Sequence, residues 1–125
     1  MSQNVPADLK YTKDHEWAKV EGDVCIVGIT DFAQSQLGDI VFMELPEPGR
    51  TVSLGESFGV VESIKSVSDL YSPISGEILE RNEDLVASPD GCNQNPYGSW
   101  MVKIKMTVPQ EQNELLSADS YLSLL

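Results

Sequence analysis

The chain has 125 residues, 41% of them hydrophobic, which suits one compact domain whose core is large enough to fold without disulfide or metal staples. Acidic residues outnumber basic ones 20 to 8, and the net charge of -12 repels phosphate backbones and anionic membrane surfaces. Nucleic acid and membrane are thus excluded as expected partners, while the charge favours solubility and steering toward basic patches on other proteins.

The opening stretch "MSQNVPADLKYTK" has neither the basic-then-apolar order of a secretory signal nor the Arg-rich amphipathic pattern of an organelle presequence. A cytoplasmic protein, or a mature form already trimmed, is the expectation. "EWAKV" and "VCIVGI" flank "EGD" and predict a hairpin, with Cys25 as a core thiol. "TDFAQSQLG" predicts about two turns of connector helix, with Asp31 as N-cap, Gln34 three residues on and Gly38 as terminator.

"DIVFMEL" resumes strand character and "PEPG" turns it; "SFGVVES" and "SVSDLYS" then form two runs around Lys65. "SGEILE" is a further strand. A polar loop follows from about Asn82 to Ser99, holding Cys92 as a loop thiol, and "WMVKIK" is the last strand. Beyond Pro109, Leu115 and Leu116 precede Leu122 and Leu125 at helical spacing, so one or two terminal helices are expected to pack on a sheet. "GDIV" at Gly38 and "GEIL" at Gly76 echo each other on either side of the Lys65 hairpin. The echo suggests two similar half-sheets folded together with that hairpin as a protruding tip.

Few motifs carry chemistry. "GESFG" matches the G-x-S-x-G nucleophile elbow, but a strand pattern follows Ser57 and the chain's one histidine, His15, lies upstream, so Ser57 reads as a turn residue. One histidine and two separated cysteines make no zinc constellation, and no phosphate-cradling glycine loop occurs. Glu16, between His15 and Trp17, reads either as an acid-base group or as a solvated strand residue. Lys65 is the only lysine from Val20 to Val102. That isolation suits an enzyme that must acylate one exposed amine, although a lone turn lysine also serves simply to blunt a hairpin.

The segment "VESIKSVSDLYSPISGEI" resembles the lipoyl-lysine signature of the glycine cleavage system H proteins. "HEW", "VGITDFAQSQLGDIVFMELPEPG" and "NPYGSWMVKIK" resemble the same family, so the similarity runs over nearly the whole chain. The resemblance implies a mainly β barrel-sandwich hybrid of two small antiparallel sheets, with a short connector helix and C-terminal helices. Residues 1–125 would form a single lipoyl-carrier domain, with a β core at about 15–105 and a helical segment at about 110–125.

It further implies that Lys65 carries lipoic acid as lipoyl-lysine and that the protein is a noncatalytic, monomeric shuttle. Its partners would be lipoylating enzymes, a pyridoxal-phosphate glycine decarboxylase, a tetrahydrofolate-dependent aminomethyltransferase and dihydrolipoyl dehydrogenase. Glu16 and Asp69 match family positions linked to a cleft that shelters the loaded arm. Gln36 stands where some relatives offer a histidine, and Asp14 where a serine is frequent. A biotin carrier is disfavoured because Lys65 lies between Ile64 and Ser66 rather than two methionines. An isolated lipoyl domain of a 2-oxo acid dehydrogenase complex, or an H-like protein that donates its lipoyl group to others, are the alternatives.

Overall fold

The computed structural model describes residues 4–125. The expected hairpin consists of β2 (Glu16–Glu21) and β3 (Val24–Ile29), preceded by the short edge strand β1 (Lys10–Tyr11). Next come β4 (Ile40–Glu44), β5 (Thr51–Val52), β6 (Ser57–Ser63), β7 (Val67–Tyr71), β8 (Gly76–Arg81) and β9 (Val102–Met106). Two antiparallel sheets result, one ordered β1-β2-β3-β9-β8-β5 and the other β4-β6-β7. This is the expected mainly β sandwich of two sheets. The echoing segments do open strands, β4 and β8, in different sheets. The halves are unequal, with six strands in one sheet and three in the other.

Alternation drives the assembly: Cys25, Val27 and Ile29 of β3, Ile78 of β8 and Ile104 of β9 face Met43, Phe58, Val61 and Leu70 across one apolar core. A second cluster of Leu9, Tyr11, Trp17, Ala118 and Tyr121 lies outside it. The Trp17 indole crosses the backbone of its cross-strand partner Gly28 so closely that a Cβ there would sit 2.5 Å from the ring. Only glycine fits beneath that tryptophan.

Several local expectations are corrected. The connector helix α1 (Asp31–Leu37) is capped by Thr30, whose hydroxyl accepts from the Ala33 amide, and not by Asp31. Thr30 is where the extended chain leaves β3; Asp31 lies inside the first turn and takes Gln34 Nε2 at 2.9 Å instead. The polar loop holds two short helices, α2 (Glu83–Ala87) and α3 (Gly91–Gln94), which form because Leu85 and Cys92 are drawn into the core. Cys92 is accordingly a buried thiol, not a loop thiol.

The C-terminal segment is a 3-10 helix (Pro109–Glu114) followed by α4 (Ala118–Leu122). Its buried side is Ala118 and Tyr121, whereas Leu122 and Leu125 face solvent. Ser57 opens β6 rather than forming a turn, and its hydroxyl donates to the Gly59 carbonyl. Among the described residues no helix is long and apolar enough to cross a membrane.

Candidate functional site

Lys65 stands at the tip of the β6–β7 hairpin. The turn is tight because Ser63 serves both its ends: the Ser63 amide donates to the Ser66 carbonyl at 2.8 Å, and its hydroxyl accepts from the amides of Lys65 and Ser66. The Ile64 amide donates to the Asp39 carbonyl, which ties the tip to the chain that follows α1. Ile64 and Val67, on either side, are 71% and 66% exposed, so the lysine rises from an apolar collar.

Lys65 takes no part in the ion pairs formed among the described residues. Its aliphatic stem runs along Gly38, with Cε 3.4 Å from where a Cβ would stand. Gly38 ends α1 at φ 79, the left-handed region that glycine enters without cost from a side chain.

From that point α1 forms one wall of a cavity of about 340 Å³, whose lining includes Asp14, His15, Glu16, Phe32, Gln36 and Asp69. The structure therefore brings together the sequence-level candidates Glu16 and Asp69, along with Asp14 and Gln36. Asp69 lies on β7 opposite Val60 and is exposed, at the mouth. Glu16 is the opposite case: it is 2% exposed, so its reading as a solvated strand residue is corrected. The cause is register, since Glu16 begins β2 opposite Ile29 and points inward between the two sheets' ends.

Both carboxyl oxygens of Glu16 accept hydrogen bonds, Oε1 from the Thr12 hydroxyl at 2.5 Å and Oε2 from the Tyr71 amide at 3.3 Å. These contacts favour the charged form, but burial outweighs them and pushes the group up to about 8. Glu16 is a buried acid with its acceptors set and no cation beside it. A larger cavity, about 590 Å³, lies on the other side and shares Asp14 and Glu16 with the first.

His15 adds a feature that spacing did not reveal. Its φ is 70, the one non-glycine residue with positive φ among those described. Its carbonyl accepts from the Thr30 amide at 3.0 Å, its ring meets Phe32 at 4.8 Å between centroids, and Nδ1 lies 2.7 Å from the Tyr121 hydroxyl. Burial lowers its pKa, against the pull of Asp14. With Nδ1 engaged by Tyr121 and Ser57 bonded to Gly59, the serine-hydrolase constellation is not assembled. Thr12, Tyr71 and Tyr121 were missed at sequence level, because nothing in local pattern signals a hydroxyl or an amide donated from a distant element.

Residues 9–125 match the family model described as glycine cleavage H-protein. The chain is 55% identical over 122 residues to the glycine cleavage system H protein of Carboxydothermus hydrogenoformans, covering 97% of this chain and 94% of that one. It is 58% identical over 119 residues to that of Symbiobacterium thermophilum, covering 94% and 93%. Its fold is similar to the crystal structure of a glycine cleavage system H protein from Mycobacterium marinum, at TM-score 0.87 and 46% identity, covering 95% and 97% of the two chains.

Proposed function

Since the chain belongs to the glycine cleavage H-protein family, we propose that it is a noncatalytic shuttle carrying lipoic acid on Lys65. It takes the aminomethyl group of glycine from the decarboxylase to the aminomethyltransferase and then presents the dithiol to dihydrolipoyl dehydrogenase. Residues 1–125 act as one lipoyl-carrier domain, monomeric and cytoplasmic. The observation that carries this reading is the exposed Lys65 whose stem lies along the end of the helix that walls the Glu16 cleft.

The residues present fit the group. An amide bond needs an accessible, unpaired amine, and the Lys65 tip offers one. Amide-linked lipoate supplies a disulfide–dithiol couple on a long neutral arm, and the chain supplies root, reach and shelter. Tethering raises the local concentration of cargo at each successive enzyme.

A primary ammonium brought into the cleft meets Glu16, which is prepared as an acceptor on both oxygens, and Asp69 at the mouth. A cation beside Glu16 favours its carboxylate form against the burial and, secondarily, the Asp14 charge that raise its pKa, and the proton released passes to solvent. Each charge-assisted contact contributes about 1.5–3 kcal/mol when well desolvated. Enclosure also keeps water from the labile carbon. Gln36 lines the same wall and supplies hydrogen bonds without charge.

The test is loading. Lipoylated chain incubated with the decarboxylase and glycine should gain one aminomethyl increment by intact mass, and Lys65→Arg should show neither lipoylation nor loading. Correctly folded, lipoylated chain that cannot be charged from glycine would overturn the reading. Glu16→Ala should leave lipoylation intact and speed loss of the aminomethyl group; an unchanged loss rate would remove Glu16 from the sheltering role.

A further inference from the structure

The C-terminal helix reaches the cleft through one hydroxyl. Tyr121 of α4 is fully buried, with its ring stacked on Tyr11 at 4.8 Å and 9°. Its hydroxyl lies 2.7 Å from His15 Nδ1 and 2.8 Å from Thr30 Oγ1. The direction of these bonds follows from Thr30. That residue is 0% exposed, and its oxygen already accepts from the Ala33 amide, so the one acceptor for its proton among its partners is the Tyr121 oxygen. The Tyr121 proton is then free to point at His15 Nδ1. An imidazole whose Nδ1 accepts is neutral and carries its proton on Nε2.

We propose that Tyr121 is a positioning residue for the arm cleft: its hydroxyl, relaying from Thr30, locks His15 as the neutral Nε2–H tautomer, so that the wall receiving a cationic amine carries no competing positive charge. The lock has something to oppose. Asp14, next in the chain, is the acid whose charge favours imidazolium, while Glu16 and Asp69 line the same cleft. A proton on Nδ1 would meet the Tyr121 O–H head on, so charging the ring requires breaking the relay. The same bond holds the side chain of a residue at φ 70, which lies between Asp14 and Glu16 in the chain.

The inference rests on the carrier reading for its consequence but not for its geometry, and the two are tested apart. His15 is the only histidine in the chain, so its two ring nitrogens are assigned without ambiguity by 15N NMR of the unlipoylated protein. At pH 7 the expected pattern is an unprotonated Nδ1 and a protonated Nε2. Tyr121→Phe, which keeps the stacked ring, should give a mixture of tautomers or a charged ring. Thr30→Ser keeps the relaying hydroxyl and should retain the wild-type pattern.

In the loaded carrier, Tyr121→Phe should lose its aminomethyl group severalfold faster with lipoylation unchanged. A protonated Nδ1 in the wild type, or a Tyr121→Phe spectrum identical to wild type, overturns the relay. A changed tautomer with an unchanged loss rate overturns its role in the cleft. Failure of wild-type chain to load at all falls on the carrier reading, while the tautomer pattern stands by itself.

Discussion

The Thr12 hydroxyl donates to Oε1 of Glu16 at 2.5 Å, and the same Thr12 oxygen accepts from the amides of Asp14 and Glu16. One side chain thus folds the loop before β2 and orients the buried acid at the end of it. Despite this support the carboxyl is held up at about 8, against an ordinary value of 4.5, because it sits behind protein on nearly all sides.

That shift has a consequence for stability. Between pH 4.5 and about 8 the folded chain keeps a proton on Glu16 that the unfolded chain gives up, so the group's contribution falls as pH rises through that window. At about 1.4 kcal/mol per unit the loss is on the order of a few kcal/mol. Glu16→Gln, neutral at every pH, should flatten the fall. Denaturant unfolding of both proteins at pH 5 and pH 8 should show a larger difference between pH values for the wild type; equal slopes would mean that Glu16 is already ionised in the folded state at neutral pH.

Gly28→Ala should be among the most damaging single-methyl additions. The new Cβ would lie 2.5 Å from the Trp17 indole, which is 3% exposed and held by its Nε1 donating to the Pro96 carbonyl at 3.1 Å. Overpacking of this kind costs about 1–3 kcal/mol or more. Tryptophan fluorescence during unfolding should report a lowered midpoint; a midpoint equal to wild type would show that Trp17 can swing away freely.

At Gly38 the cost is conformational rather than steric. A Cβ there would meet the Lys65 stem at 3.4 Å, an ordinary contact, but φ 79 with ψ -156 is a region essentially reserved for glycine and costs other residue types about 1–3 kcal/mol. Gly38→Ala is expected to lower thermal stability while still accepting one lipoyl increment by mass. Loss of lipoylation in a folded variant would show that the lysine stem needs the glycine itself.

Cys25 and Cys92 should be inert in the native state. Both are fully buried, and burial pushes each thiol up to about 12. Iodoacetamide at pH 8 should label neither until denaturant is added. Native labelling at Cys92 would show that the segment carrying α2 and α3 opens locally.

Much of the fold was legible because alternation has only one solution on a sandwich. "VCIVGI" and "WMVKIK" each place one set of side chains on a common face, and they pair as β3 and β9. The lone lysine between two strand-like runs likewise marked a hairpin tip. Capping was misplaced by one residue at Thr30 because Thr and Asp are both good caps, and only the exit angle from β3 chooses between them. In the C-terminal helix the leucines suggested the buried face, yet the neighbouring aromatic surface of Tyr11 and Trp17 takes Tyr121 instead.

The sequence by itself determined the two-sheet architecture, the exposed lysine and the family to which the chain belongs, since each is written in local periodicity or in a contiguous motif. Only the tertiary structure decided that Glu16 is a buried acid whose pKa burial raises, that Cys92 is core, and that the hydroxyl of a tyrosine 106 positions from His15 meets its ring nitrogen. Burial and hydrogen bonding depend on which distant atoms arrive beside a group, and a residue's electrostatics follow from those neighbours rather than from its place in the chain.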